Sequence, residues 1–229
     1  MSIVVDIWSD IICPFCWIGK RQFEKALEGF PHRDQVRLTH RAFRLMPGQP
    51  VGPTSEMLQQ KYGLTPDQAA QNQARVEAMA ASVGLEYHLA DTLSGDSLMA
   101  HRLIRFAGDH GAALLERLYR AHFTEGLSIF DREVLIRLSA EAGLGAEVET
   151  GAVRAFLAGS DLTSEVEADQ QAANLAGARG VPHFVFNYRY AVSGAQPPEV
   201  FRRALEAAWA DGDGSAGDGS VCDDGVCDV

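Results

Sequence analysis

The feature that most constrains this chain is Cys13-Pro14-Phe15-Cys16, set directly behind a strand-like run and at the head of a helix-like one. Ile3-Val4-Val5-Asp6-Ile7-Trp8 is rich in β-branched and aromatic residues and reads as a buried strand. Ser9-Asp10-Ile11-Ile12 then turns into a helix from about Cys13 to Phe30, ended by Gly29 and Pro31. Val36, Leu38, His40 and Ala42 alternate with polar residues in a second strand, which predicts a strand-helix-strand unit with a right-handed, parallel crossover. A thiol at the head of a helix faces unpaired N–H groups and the positive end of the helix dipole, both of which favour its thiolate. Cys13 is therefore expected to be the exposed, attacking sulfur. Pro14 fits the first turn, where a missing N–H costs nothing. Cys16, one turn in, is expected to be more buried and to resolve a mixed disulfide. Two other readings of the pair remain open here: two small buried hydrophobes, or half of a zinc site. None of the seven histidines forms an i, i+3 or i, i+4 pair, so a histidine-rich metal site has little local support.

Over 53–161 the strand pattern disappears and helix signals recur. Thr65-Pro66 marks one start with Gly84 beyond its end, and Asp131 marks another with Gly143 after it. Strand chemistry returns at Val181-Pro182-His183-Phe184-Val185-Phe186 and Tyr190-Ala191-Val192-Ser193, read as a hairpin, and Pro197-Pro198 opens a last helix ending near Trp209-Ala210. The expected fold class is α/β. Residues 1–52 and 162–210 form a discontinuous sheet domain, 53–161 an all-helical insertion, and 211–229 a flexible Asp/Gly-rich tail carrying Cys222 and Cys227. A Cys-x-x-Cys between a strand and a helix in such a unit is the thioredoxin-like signature.

No apolar run approaches the roughly 20 residues of a membrane helix, and the start lacks the basic and apolar regions of a secretory signal, so a cytosolic protein is expected. In that compartment four cysteines point to redox or metal chemistry rather than to structural staples. The net charge of −11 argues against nucleic acid and anionic lipid partners, although six of the aspartates lie in 211–229. Asp6, on the strand beneath the helix, is placed to pass a proton to and from Cys16 if its carboxyl is raised by burial, or else simply to bond backbone. Asp10 suits a capping role, and His101 and His183 suit structural ones.

The segments Asp6-Ile7-Trp8-Ser9-Asp10-Ile11-Ile12-Cys13-Pro14-Phe15-Cys16-Trp17-Ile18-Gly19, Ala100-His101-Arg102-Leu103, Phe123-Thr124-Glu125-Gly126, Gly180-Val181-Pro182-His183-Phe184-Val185-Phe186 and Val192-Ser193-Gly194-Ala195-Gln196-Pro197 together resemble the FrnE-type branch of the DsbA family, over residues 1 to about 210. The resemblance implies a thioredoxin fold interrupted by a helical domain. It also implies Cys13 as nucleophile, Cys16 as resolving thiol, and Val181-Pro182 as a cis-proline contact for substrate. Pro14 and Phe15, between the sulfurs, complete the expected substrate-binding set. Phe15 stands where periplasmic DsbA enzymes carry a thiolate-stabilising histidine, so their oxidising strength is not implied.

The chain also resembles kappa-class glutathione transferases and hydroxychromene-carboxylate isomerases through its helical insertion and Ser193-Gly194-Ala195-Gln196. Those enzymes use a serine where this chain has cysteines, which favours electron exchange. The expectation is thus an enzyme with no cofactor beyond its own redox disulfide and with glutathione as an allowed co-substrate. It would act on protein or small-thiol substrates, and a homodimer is also open. Cys222 and Cys227 read as an accessory redox pair, as soft-metal ligands with Asp223, Asp224 and Asp228, or as inert tail residues, and no metal is assigned.

Overall fold

The structure, a computed structural model, describes residues 2–144, 150–212 and 226–228. The chain folds as two compact units, Met1–Phe43 with Ala168–Val229, and Arg44–Glu167.

In the first unit, strand β1 (Ile3–Ser9) is almost wholly buried. It pairs in parallel with β2 (Val36–Ala42) from Ile3 opposite Val36 to Ser9 opposite Ala42. On its other side it pairs antiparallel with β5 (His183–Phe186), Trp8 lying opposite His183. A turn with Asn187 and Tyr188 at φ 49° and 58° leads into β6 (Tyr190–Ser193), so β5 and β6 form the expected hairpin. Asparagine tolerates that left-handed backbone. Asn187 also trades bonds with Val4, its N–H reaching the Val4 carbonyl at 2.8 Å and its Oδ1 accepting the Val4 N–H at 2.9 Å. A further strand, β7 (Val226–Asp228), pairs antiparallel with β6, giving the order β2-β1-β5-β6-β7.

Helix α1 (Pro14–Glu28) starts at Pro14 with Cys13 as its N-cap and stops at Gly29. Its Phe23 packs with Phe184, Phe186 and Phe201 at ring separations of 5.5, 6.1 and 5.7 Å. Phe201 belongs to the last helix, α9 (Pro198–Gly212), which runs two residues past its expected end. The flexible tail expected from 211 onward lies largely at 213–225, outside the described residues; its described end, Val226–Asp228, is a strand.

The second unit holds α2 (Thr54–Tyr62), α3 (Pro66–Ala81), α4 (Leu98–Phe106), α5 (Gly111–Phe123), α6 (Arg132–Glu141) and α7 (Thr150–Ala158). Thr65 and Gln68 close a capping box on α3, and the Asp131 carboxylate accepts the Val134 N–H at the head of α6. Leu103, Leu114, Leu118, Tyr119 and Phe123 are buried there. The unit also carries a two-residue antiparallel ladder, β3 (Gly52–Pro53) with β4 (Leu93–Ser94), too short for hydropathy alternation to mark. The unit boundaries fall after Phe43 and Glu167 rather than at 52 and 161. Helix α8 (Thr163–Leu175) runs unbroken through the second of these, so no turn residue signals it.

Phe23→Ala removes the ring at the centre of the aromatic cluster and should destabilise the protein by about 3–5 kcal/mol. Leu175→Ala, at a side chain 89% exposed, should stay within about 0.5 kcal/mol. Urea denaturation checks both.

Candidate active site

The turn between β1 and α1 is wound tightly by backbone bonds, Cys13 N–H to Asp10 O at 3.1 Å and Cys16 N–H to Cys13 O at 3.0 Å. Asp10 Oδ1 also accepts the Ile12 N–H at 3.4 Å. Cys13 therefore enters α1 in an extended conformation (φ −90°, ψ 110°) and its sulfur makes no capping bond to the helix. Pro14 occupies the first helical position, as its missing N–H allows. The Cys13 Sγ–H donates instead to the carbonyl of Val181, 3.3 Å away and 168 residues later in the chain. The Val181–Pro182 peptide bond is cis.

The structure thus brings Cys13, Cys16, Val181 and Pro182 together, but it corrects the expected difference in exposure. Cys13 is 4% exposed and Cys16 2%, because the Val181–Pro182 loop lies over the first sulfur. Phe15 is 38% exposed beside them. The surroundings of Cys16 work against its charge. Burial first, then the hydrogen bond to Cys13 and the Cys13 charge, push the Cys16 thiol well above its ordinary value. The charge of Asp10 adds to this, while a backbone hydrogen bond from Asp10 works the other way. The balance of these influences favours the protonated thiol of Cys16.

Asp6, expected to relay a proton to Cys16, is committed elsewhere. Arg41 Nε donates to Asp6 Oδ1 at 2.7 Å, and Arg41 NH1 donates to Asp169 Oδ1 at 3.2 Å. Asp169 also accepts the Ala42 N–H at 3.1 Å, and its carbonyl accepts Trp8 Nε1–H at 2.9 Å. Burial works against the Arg41 charge, but the bonds and charges of Asp6 and Asp169 outweigh it and hold the guanidinium protonated. The cluster ties β1, β2 and α8 together. Asp10, assigned only a cap, is the carboxylate whose charge bears on Cys16. Asp169 could have been flagged from sequence, since it sits on a helical face between Val166 and Ala173, both buried; its partner Arg41 carried no such signal.

His183, next to Pro182, is structural as expected. Its Nε2 lies 3.0 Å from the Ala176 carbonyl, which can only accept, so Nε2 carries the proton and Nδ1 accepts the Ser193 hydroxyl at 2.9 Å. Gly194 N–H closes on the Pro182 carbonyl at 2.8 Å. Cys222 and the side chain of Cys227 lie outside the described residues; the Cys227 backbone sits opposite Ala191. Among the described residues there is no cluster of three metal-binding side chains and no helix long and apolar enough to cross a membrane. A cavity of about 660 Å³ in the Arg44–Glu167 unit, walled in part by Leu45, Met46, Val51 and Met57, contains no thiol.

A family model described as a DSBA-like thioredoxin domain matches residues 4–206. A probable DsbA oxidoreductase from Streptomyces coelicolor, known as a crystal structure, is 40% identical, with 99% of each chain covered and a TM-score of 0.86. YwbO, an uncharacterized protein of Bacillus subtilis (strain 168), is 26% identical over 149 residues, 63% of this chain and 68% of its own length. A 2-hydroxychromene-2-carboxylate isomerase has a TM-score of 0.66 at 15% identity, over 93% of this chain and all of that one. At that identity the likeness speaks for the fold alone, so the chemistry has to be read from the site.

Burial lowers the pKa of His183 from 6.5, opposed by its bond to Ala176. The folded protein holds this ring neutral where the unfolded chain takes up a proton. Its contribution to stability is therefore complete above the unfolded value and is lost as pH falls through the folded one. Between about pH 7.5 and about pH 5 the urea midpoint of the wild type should fall, and that of His183→Gln should fall less. Equal slopes would show that His183 does not contribute.

Proposed function

From the premise that this chain belongs to the family of DsbA-like thioredoxin domains, we propose that it is a thiol–disulfide oxidoreductase working through Cys13 and Cys16. The observation that carries this reading is the position of the Cys13 sulfur, at the head of α1 and 3.3 Å from the Val181 carbonyl beside Pro182. The Cys13 thiolate attacks one sulfur of a substrate disulfide, forming a mixed disulfide and releasing the other sulfur as a thiolate. Cys16 then gives up its proton and attacks Cys13, so that substrate leaves as a dithiol and the Cys13–Cys16 disulfide forms. Run backwards, the same steps oxidise a substrate. Val181 offers its backbone to an extended substrate strand, and Pro14 and the exposed Phe15 flank the sulfur. Asp6 serves here as the anchor of β1 through Arg41.

Protein disulfides or small thiols, glutathione among them, are the proposed substrates. The proposed compartment is the cytosol, because the cysteines come as two close pairs suited to exchange rather than as distant staples. Within the family we place the chain on the FrnE-type branch, on the segments quoted above.

The Cys222–Cys227 pair is the proposed accessory redox couple. Val226 sits opposite Val192, two residues before Gly194, whose N–H holds the Pro182 carbonyl. The described end of the tail thus returns to the sheet that carries the Val181–Pro182 loop. That return supports exchange with Cys13.

Cys13→Ser should abolish the protein's acceleration of insulin reduction by dithiothreitol, and Cys16→Ser, mixed with insulin in the absence of dithiothreitol, should accumulate mixed disulfides. Turnover of a chromophoric glutathione acceptor, without insulin reduction, would replace this reading with a glutathione-dependent transferase or isomerase.

For the tail, wild type and the double variant Cys222→Ser/Cys227→Ser should differ in how fast limiting oxidant reaches Cys13–Cys16. A Cys16→Ser protein should yield a Cys13-to-tail adduct by mass spectrometry. Identical rates and no adduct would leave the tail without a redox role.

A further inference from the structure

Gly19 lies one turn beyond Cys16 on α1, where glycine is the poorest helix former after proline. Its backbone is ordinary helix, so no left-handed turn demands glycine there. What the position meets explains it. A Cβ on Gly19 would fall 2.8 Å from Pro182 Cγ, 3.4 Å from Ala195 Cα and 3.6 Å from Ala195 Cβ. Pro182 Cγ is part of a ring closed on the backbone nitrogen and cannot swing aside like the end of a flexible chain. It yields only if the backbone of Val181 and Pro182 moves. Ala195 Cα is itself backbone, in the segment whose Gly194 N–H holds the Pro182 carbonyl at 2.8 Å. Both neighbours of the missing side chain thus belong to the frame of the loop that covers Cys13.

We propose that Gly19 is a positioning residue of the site. Its missing side chain lets the Pro182 ring seat on α1, which sets the Val181 carbonyl at its 3.3 Å from the Cys13 sulfur. The inference rests on the reading that Cys13 and the Val181–Pro182 loop form the substrate site. A methyl group at position 19 displaces the ring, opens the Cys13–Val181 contact and uncovers a buried thiol. Substrate then meets a loop and a sulfur no longer in register.

The test is a double-mutant cycle between Gly19→Ala and Pro182→Ala, the second of which removes the Cγ that the methyl would strike. Alkylation of Cys13 by iodoacetamide is followed by peptide mass spectrometry in a Cys16→Ser background, and insulin reduction in proteins that retain Cys16. Gly19→Ala should speed Cys13 alkylation roughly fivefold, as loss of one hydrogen bond and its cover implies. It should lower kcat/KM for insulin roughly tenfold, as for a misplaced reacting group. In the Pro182→Ala background each rate should change by less than about twofold on adding Gly19→Ala. Unchanged alkylation in Gly19→Ala overturns the proposal. So does an effect undiminished by Pro182→Ala, which would assign the glycine to packing on Ala195. If Gly19→Ala fails to fold, a native circular dichroism spectrum for the double variant supports the ring contact, and an unfolded double variant overturns it. A wild type inactive on insulin would sink the proposed reaction, while the alkylation cycle would still decide the role of Gly19.

Discussion

Strand β1 pairs on both edges, in parallel with β2 and antiparallel with β5, and the site depends on the second of these pairings. The β1–β5 register sets Trp8 opposite His183. The residues just after β1 and just before β5 therefore meet at one end of the sheet, and these are Cys13 and Val181. Apolar burial fixes that register. A slip of one residue would turn Val5 and Ile7 away from Phe23 and Phe184 and point Asp6 into their cluster. The hydrogen bond between Cys13 and the Val181 carbonyl thus depends on a register that the core sets.

The two thiols at the head of α1 differ in their surroundings rather than in their exposure. Both sulfurs are buried. Cys16 has the buried interior, the Cys13 sulfur and the Asp10 charge around it, all of which favour the neutral thiol. Cys13 has the head of α1 and a single carbonyl acceptor. Two further buried carboxylates stand in the same unit, and the shared guanidinium of Arg41 compensates them. Breaking such a cluster from one side would leave a buried charge without a partner.

Much of this was legible in the sequence because the signals are local. Cys13-Pro14 announces a helix start through a missing N–H, Thr65-Pro66 and Asp131 through side chains that reach the next turn, and Val36–Ala42 announces a strand through apolar and polar residues in alternation. Val181–Pro182 was legible only through resemblance, since its neighbours offer no motif of their own. The fate of Asp6 was not legible. A carboxylate on a buried strand is compatible with a relay or with an ion pair, and Arg41 and Asp169, far apart in the chain, decide between them. The burial of Cys13 escaped for the same reason, because its cover comes from a loop 168 residues away.

That separation has a consequence for how the protein is made. At synthesis rates of about 5–20 residues per second, the ribosome needs on the order of 10 s to travel from Cys13 to Val181. Over that interval the whole Arg44–Glu167 unit is produced, and β1 lacks β5 as its antiparallel neighbour. A nascent chain therefore presents both thiols without their cover. The order of elements makes the newborn polypeptide, rather than the finished protein, the form most open to adventitious oxidants.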